Sequence, residues 1–143
     1  MHMAALRKRV LFLCTHNSAR SQMAEGLLRV LSNGTVDVFS AGTVATAMRP
    51  EAISVMHEIG IDIRGQSSKN LERYLVESFD LVITVCDSAN EACPVFLNAR
   101  QRWHWSIDDP SQTQGTAAER ISAFRRARDE LRQKIETEIL ARD

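Results

Sequence analysis

Two almost entirely apolar segments, residues 9–14 (RVLFLC) and 79–85 (FDLVITV), constrain the fold more than any other feature of this chain. Each is far too short to span a membrane, and its continuous apolar character is typical of a strand buried on both faces of a parallel sheet. Amphipathic helical patterns lie at 21–31, 50–60 and 116–140. Because strands alternate with helices, we expect right-handed crossovers and an α/β fold.

Less apolar segments complete the predicted sheet. Residues 36–40 alternate as a second strand that ends in a turn at Ala41-Gly42, and residues 102–105 form a short fourth strand. Residues 71–76 can form a short helix, and Pro50 is well placed as the first residue of the second helix. With 143 residues, the chain suits one domain, residues 1–143. We predict a four-stranded parallel sheet with helices on both faces, a Rossmann-like three-layer fold.

Charge and hydropathy argue against several partners. The 18 basic and 18 acidic side chains cancel, so no overall field recruits nucleic acid or a membrane surface. The mixed charges of the last helix are typical of a solvated face with ion pairs. The apolar run after residues 7–9 (RKR) is too short for a signal peptide, which favours the cytoplasm. We expect a monomer.

A cysteine at the end of the first predicted strand carries the main chemical signal. Cys14 is followed by a five-residue loop, then Arg20 and Ser21, and then a helix. Loop N–H groups, a helix N-terminus and an arginine fork together bind a tetrahedral oxyanion and favour a thiolate. The residues predicted to bind the anion are Thr15, His16, Asn17, Ser18, Ala19 and Arg20. The alternative is a buried structural cysteine beside a surface arginine.

Two further candidates follow other predicted strands. Cys86 comes directly after the third strand, and Asp108-Asp109 comes shortly after the fourth. Ligands of such sheets bind at the carboxyl ends of the strands, so we expect these residues to meet Cys14 at one edge.

Cys86 and Cys93 admit three interpretations. A zinc site needs about four ligands and only His104 is an obvious addition, so we expect no metal. A disulfide needs Cα atoms within about 7 Å, whereas seven helical residues span about 10 Å, so pairing would require this segment to loop or unwind. Two inert buried thiols are the third interpretation.

The loop and the cysteine segment resemble one family. Residues 14–26 (CTHNSARSQMAEG) are similar to the active-site loop of the low-molecular-weight protein tyrosine phosphatase superfamily, and within it to the thioredoxin-coupled arsenate reductases. Residues 85–94 (VCDSANEACP) resemble the segment with the second and third redox cysteines, which correspond to Cys86 and Cys93. The likeness continues through FRRARDEL in the last helix.

This resemblance implies a mechanism. Cys14 attacks arsenate while Asp109, the aspartate before Pro110, protonates the departing oxygen, and Ser21 donates a hydrogen bond to the Cys14 thiolate. A thiol-disulfide relay then runs through Cys86 and Cys93. It implies arsenate as substrate, phosphate or sulfate as analogues, thioredoxin as reductant, and no bound cofactor.

The resemblance also bears on a cation. Some of these reductases bind potassium through residues that resemble Asn17, Glu25 and Ser40, and Asn17 corresponds to a strained loop asparagine. Here Lys69 stands where an acidic ligand is expected, so its ammonium would take the place of the ion.

Two other functions stay open. A phosphatase would use Cys14, Arg20 and Asp109 alone, but this chain has Ala19 in place of a second loop cysteine and Ser111-Gln112 in place of substrate-binding tyrosines. A thiol sensor that binds arsenite through three cysteines would leave Arg20 and Asp109 without a role.

Overall fold

The structure, a computed structural model, describes residues 7–85 and 98–142. Four parallel strands form one sheet in the order β2-β1-β3-β4. The elements are β1 (Arg9–Cys14), α1 (Arg20–Leu31), β2 (Asp37–Gly42), α2 (Pro50–His57), β3 (Phe79–Thr84), β4 (Ala99–His104) and α3 (Ala117–Lys134), with 3-10 turns at Leu71–Tyr74, Pro110–Gln112 and Leu140–Arg142 and a π turn at Ile135–Ile139.

The predicted α/β fold with a four-stranded parallel sheet is confirmed, and the sheet separates two clusters of buried side chains. The larger cluster joins one sheet face to the three α-helices; its members include Val10, Phe12, Ile83, Met23, Val55 and Phe124. The smaller cluster lies on the other face, where Tyr74 of a 3-10 turn packs with Leu11, Leu13 and Phe79. Within the described residues, that second face therefore carries a 3-10 turn rather than an α-helix.

Local sequence signals set the helix boundaries. Pro50 occupies the first turn of α2, where its missing N–H costs nothing. Thr116 and Glu119 form a capping box at the start of α3. Asn33 and Gly34, both at positive φ, end α1. In the part of the chain that the structure describes, no helix is both long and apolar enough to cross a membrane.

Three predicted boundaries were wrong. Gly42 belongs to β2 rather than to a turn, and a Cβ there would lie 2.6 Å from the Thr15 carbonyl oxygen, so only glycine fits against the Cys14 loop. β4 begins at Ala99, because an edge strand of exposed polar side chains lacks the apolar signal of β1. The last α-helix ends at Lys134 and passes into the π turn.

Candidate active site

The Cys14 loop lies at the carboxyl edge of the sheet, between β1 and α1. Cys14 is the last residue of β1, pairs with Gly42 of β2, and is 3% exposed. The backbone N–H of Asn17 donates to the Cys14 sulfur at 3.2 Å. Ala19, which precedes α1, provides no side-chain cap for the first turn. One backbone donor therefore points at the sulfur, and the N-terminus of α1 has no side-chain cap that would compete with an anion.

Asn17 organises this loop from inside. It is fully buried, at φ +52°, a left-handed conformation that asparagine tolerates better than most residues. Its Oδ1 accepts from the Lys69 amide at 2.8 Å and from Gln22 Nε2 at 3.0 Å. With Oδ1 assigned as the acceptor, Nδ2 donates to Ser21 Oγ at 2.7 Å and to Ser40 Oγ at 3.0 Å.

Ser21 is thereby oriented toward the sulfur. Its Oγ accepts from Asn17 and lies 2.8 Å from Cys14 Sγ. Since Ser21 Oγ already accepts one hydrogen bond from Asn17, its hydroxyl proton is free to be donated to a thiolate at Cys14. A thiolate is the acceptor that this arrangement suits best.

Arg20 joins three loops. Its side chain is 3% exposed, and NH1 donates to the carbonyl oxygens of Val85 at 3.2 Å and Ile107 at 3.0 Å. NH2 lies 3.4 Å from Asp109 Oδ2. Val85 directly precedes Cys86, so Arg20 ties the Cys14 loop to the end of β3 and to the segment that carries Asp109.

Asp109 has two partner residues, one for each carboxylate oxygen. Oδ1 accepts from the Ser111 amide at 3.0 Å and from its hydroxyl at 2.7 Å, which caps the 3-10 turn Pro110–Gln112. Oδ2 faces Arg20. These contacts show Asp109 as the cap of the turn and as a partner of Arg20; its role as a proton donor stays a prediction. Its neighbour Asp108 is exposed.

Behind the loop, Glu25 is surrounded by donors. Ser40 Oγ donates to Glu25 Oε1 at 2.5 Å, and Lys69 Nζ lies 3.7 Å from the same oxygen. Arg29 pairs with the other oxygen. Burial lowers the pKa of Lys69, and the Glu25 carboxylate opposes that shift. The Lys69 ammonium thus lies beside Glu25, one of the residues that the resemblance assigns to a cation site. The described residues contain no group of three His, Cys, Asp or Glu side chains that could hold a metal ion.

The structure brings together Cys14, Asn17, Arg20, Ser21 and Asp109. His16 is exposed, Thr15 and Ser18 are partly buried, and Ala19 is buried at the entry to α1. Cys86 and Cys93 lie outside the described residues.

Sequence reasoning missed two residues at this site. Gln22 is fully buried and donates to both the carbonyl and the Oδ1 of Asn17. Gly42 was treated as a turn. The one available signal was a glycine at the end of a strand. Gln22 gave no signal, because it shares its helix face with Glu25 and Arg29.

Comparisons with known proteins agree with this geometry. Residues 9–141 match the low molecular weight phosphotyrosine protein phosphatase family. An arsenate reductase of Halalkalibacterium halodurans is 44% identical over 131 residues, covering 92% of this chain and 94% of that protein. A solved arsenate reductase in its phosphate-binding state has a TM-score of 0.80 at 33% identity, covering 94% of this chain and 98% of that one.

A thioredoxin-dependent arsenate reductase of Corynebacterium glutamicum is 27% identical with a TM-score of 0.64, covering 94% of this chain and 64% of that one. An α/β fold in which a cysteine loop leads into the N-terminus of a helix is typical of phosphatase-like proteins that bind oxyanions. This chain belongs to the low molecular weight phosphotyrosine protein phosphatase family. The predicted likeness to its arsenate reductase members is confirmed.

Proposed function

We propose that this protein reduces arsenate to arsenite and that thioredoxin regenerates it. The observation that carries the proposal is the directed chain of hydrogen bonds from Asn17 through Ser21 to the Cys14 sulfur. It supports a thiolate at the base of an oxyanion cradle. We take the substrate and the reductant from the names of the relatives, which include a thioredoxin-dependent reductase.

The first step uses residues that meet in the structure. The Cys14 thiolate attacks arsenic while the loop amides and Arg20 hold the oxyanion, and Asp109 protonates the departing oxygen. The distance of 3.4 Å between Arg20 NH2 and Asp109 Oδ2 supports a position for this proton donor beside the cradle.

The second stage is a thiol relay. The Cys86 thiolate attacks the Cys14 sulfur, the bonding electrons pass to arsenic, arsenite leaves, and a Cys14–Cys86 disulfide forms. Cys93 then attacks Cys86 and frees Cys14. Thioredoxin reduces the resulting Cys86–Cys93 disulfide and is itself oxidised.

The deciding experiment couples arsenate reduction to NADPH oxidation through thioredoxin and thioredoxin reductase. We expect turnover in the parent and only background rates in Cys14→Ser, Cys86→Ser and Cys93→Ser. Cys93→Ser should release a single equivalent of arsenite and then stop, because its Cys14–Cys86 disulfide has no resolving thiol. Repeating the assay with glutathione and glutaredoxin in place of thioredoxin shows which of the two systems is the reductant.

A phosphatase is the second candidate, since the family carries that name and the same cradle accommodates a phosphate ester. Hydrolysis of p-nitrophenyl phosphate that needs Cys14 but neither Cys86 nor Cys93, without arsenate-dependent oxidation, would replace the proposal. Arsenite binding that survives Arg20→Ala without any turnover would instead indicate a thiol sensor.

A further inference from the structure

Three backbone carbonyls of the Cys14 loop, those of Thr15, His16 and Ser18, accept hydrogen bonds from residues beyond both the loop and α1. The donors are Val44 N and Thr43 Oγ1 to Thr15 (3.0 and 3.1 Å), Ser68 Oγ to His16 (3.1 Å) and Arg49 N to Ser18 (2.9 Å). A trans peptide is planar, so its C=O and N–H point in opposite directions. Each donor that fixes a carbonyl therefore also fixes the N–H of the next residue.

The peptide between His16 and Asn17 matters most, because its N–H reaches the nucleophile. The Asn17 amide donates to Cys14 Sγ at 3.2 Å, and the carbonyl of the same peptide accepts from Ser68. Ser68 thus holds the outer end of the peptide whose inner end points at the sulfur. The Thr46 hydroxyl lies at 3.4 Å from the same carbonyl and is the weaker donor.

Ser68 is itself oriented. Its Oγ accepts from the Thr46 backbone N–H at 2.9 Å, which leaves the hydroxyl proton for the His16 carbonyl. The hydroxyl joins the segment after β2 to the segment before the 3-10 turn Leu71–Tyr74, and through them to the cradle. None of the described hydrogen bonds of Ser68 joins it to a residue of the hydrophobic core.

We propose that Ser68 is a positioning residue for the oxyanion cradle, which acts through the His16–Asn17 peptide to aim the Asn17 N–H. This inference rests on the proposed anion-binding role of the Cys14 loop. A cradle binds an oxyanion well only if its donors are oriented before the anion arrives. Without the Ser68 hydroxyl, water can satisfy the partly exposed His16 carbonyl, but the peptide can rotate.

The test measures anion binding without turnover. The full-length protein is alkylated with iodoacetamide at increasing inorganic phosphate, and modification of the Cys14 peptide is followed by mass spectrometry. In Ser68→Ala, we expect the half-protecting phosphate concentration to rise about three- to tenfold, the range for one hydrogen bond. Ser68→Thr, which keeps the hydroxyl, should restore the parent value, and thermal midpoints of all variants should agree within about 3 °C.

Ser67→Ala is the matched control, because this exposed neighbour has no described side-chain hydrogen bond. Thr43→Val is a second variant with a smaller expected shift of about twofold, since the Val44 amide still holds the Thr15 carbonyl.

The outcomes separate this inference from the proposed function. If phosphate fails to protect Cys14 in the parent, the anion-binding role itself is wrong. If the parent is protected and Ser68→Ala is protected within twofold of it, Ser68 has no positioning role. A shift that Ser67→Ala reproduces, or that Ser68→Thr does not restore, also overturns the inference.

Discussion

Two polar networks connect distant parts of this chain, and their surroundings differ. The network around Asn17 is buried: Asn17, Ser21 and Ser40 are fully inaccessible to solvent. The network around Glu58 lies on the surface, where Arg125 of α3 is 47% exposed. Water can replace a lost partner in the second network but not in the first. The buried network therefore fixes geometry for chemistry, whereas the exposed one contributes only modestly to stability.

The largest effect should come from Asn17→Ala. This change removes the hydrogen bonds of Asn17 with Ser21, Ser40 and the Lys69 amide, and it puts alanine in a left-handed conformation. We expect kcat/KM for arsenate to fall about 100-fold and the free energy of unfolding to fall by about 2 kcal/mol. The coupled thioredoxin assay and urea denaturation measure these changes.

Asn33→Ala provides the matched control. Asn33 has nearly the same φ, +55°, but it is exposed at the end of α1. It should show the strain of alanine at positive φ without a loss of activity. Equal activity losses in the two variants would mean that backbone strain, and not the hydrogen-bond network, explains the importance of Asn17.

The next effect tests the cation position at the edge of the buried network. In Lys69→Met, the buried Glu25 carboxylate keeps Ser40 and Arg29 but loses the ammonium. We expect the free energy of unfolding to fall by about 1–2 kcal/mol, less than for a fully isolated buried pair. Potassium chloride should raise the thermal midpoint of this variant more than that of the parent.

Lys134→Met is the control, since Lys134 pairs with Glu138 at 3.8 Å on the exposed face of α3. Its effect should stay below about 1 kcal/mol. If both lysine variants lose the same stability, or if potassium does not distinguish Lys69→Met from the parent, the ammonium does not act as a substitute for an ion.

The two central strands could be predicted because both of their faces are buried. β1 and β3 have continuous apolar sequences, and the structure begins and ends them within one residue of the predicted bounds. The first and last residues of β4 could not be predicted in this way, since an edge strand with exposed Arg100 and Arg102 carries little apolar pattern.

Residue spacing could indicate the site only where its residues share one stretch of sequence, whereas Asp109, Ser40 and Lys69 were named from the topology or from the family resemblance. Cys14, Arg20 and Ser21 lie on one strand-loop-helix unit, so their spacing is informative. The Asn17 network also uses Ser40 and Lys69, which come from elements that only the folded topology brings near. The Ser68 contact to His16 spans 52 residues, and no local pattern indicates it.

The smallest effect concerns the exposed network. Glu58, at the end of α2, accepts from Arg125 of α3 at 2.6 Å and from Arg128 at 2.9 Å. The hydrogen bond from Arg125 and, more weakly, that from Arg128 hold the pKa of Glu58 at about 2 against the opposing effect of burial. The folded-state pKa lies below the unfolded value of 4.5, so the stabilisation is present above pH 4.5 and is lost as the pH falls toward 2.

Glu58→Gln should therefore lower the thermal midpoint at pH 7 by about 1–3 °C, and this difference should shrink between pH 4.5 and 2. Glu130→Gln, on the exposed side of α3, should show neither change. Thermal melts of the parent and both variants from pH 7 to pH 2.5 measure the effect. A difference between parent and Glu58→Gln that stays constant over this range would show that the carboxylate charge contributes nothing.

Arsenate reduction at pH 7 should be unchanged in Glu58→Gln, because its helices meet away from the Cys14 loop. If Glu58→Gln lost arsenate reduction, the exposed network would affect catalysis as the buried one does, and the distinction between the two networks would be wrong.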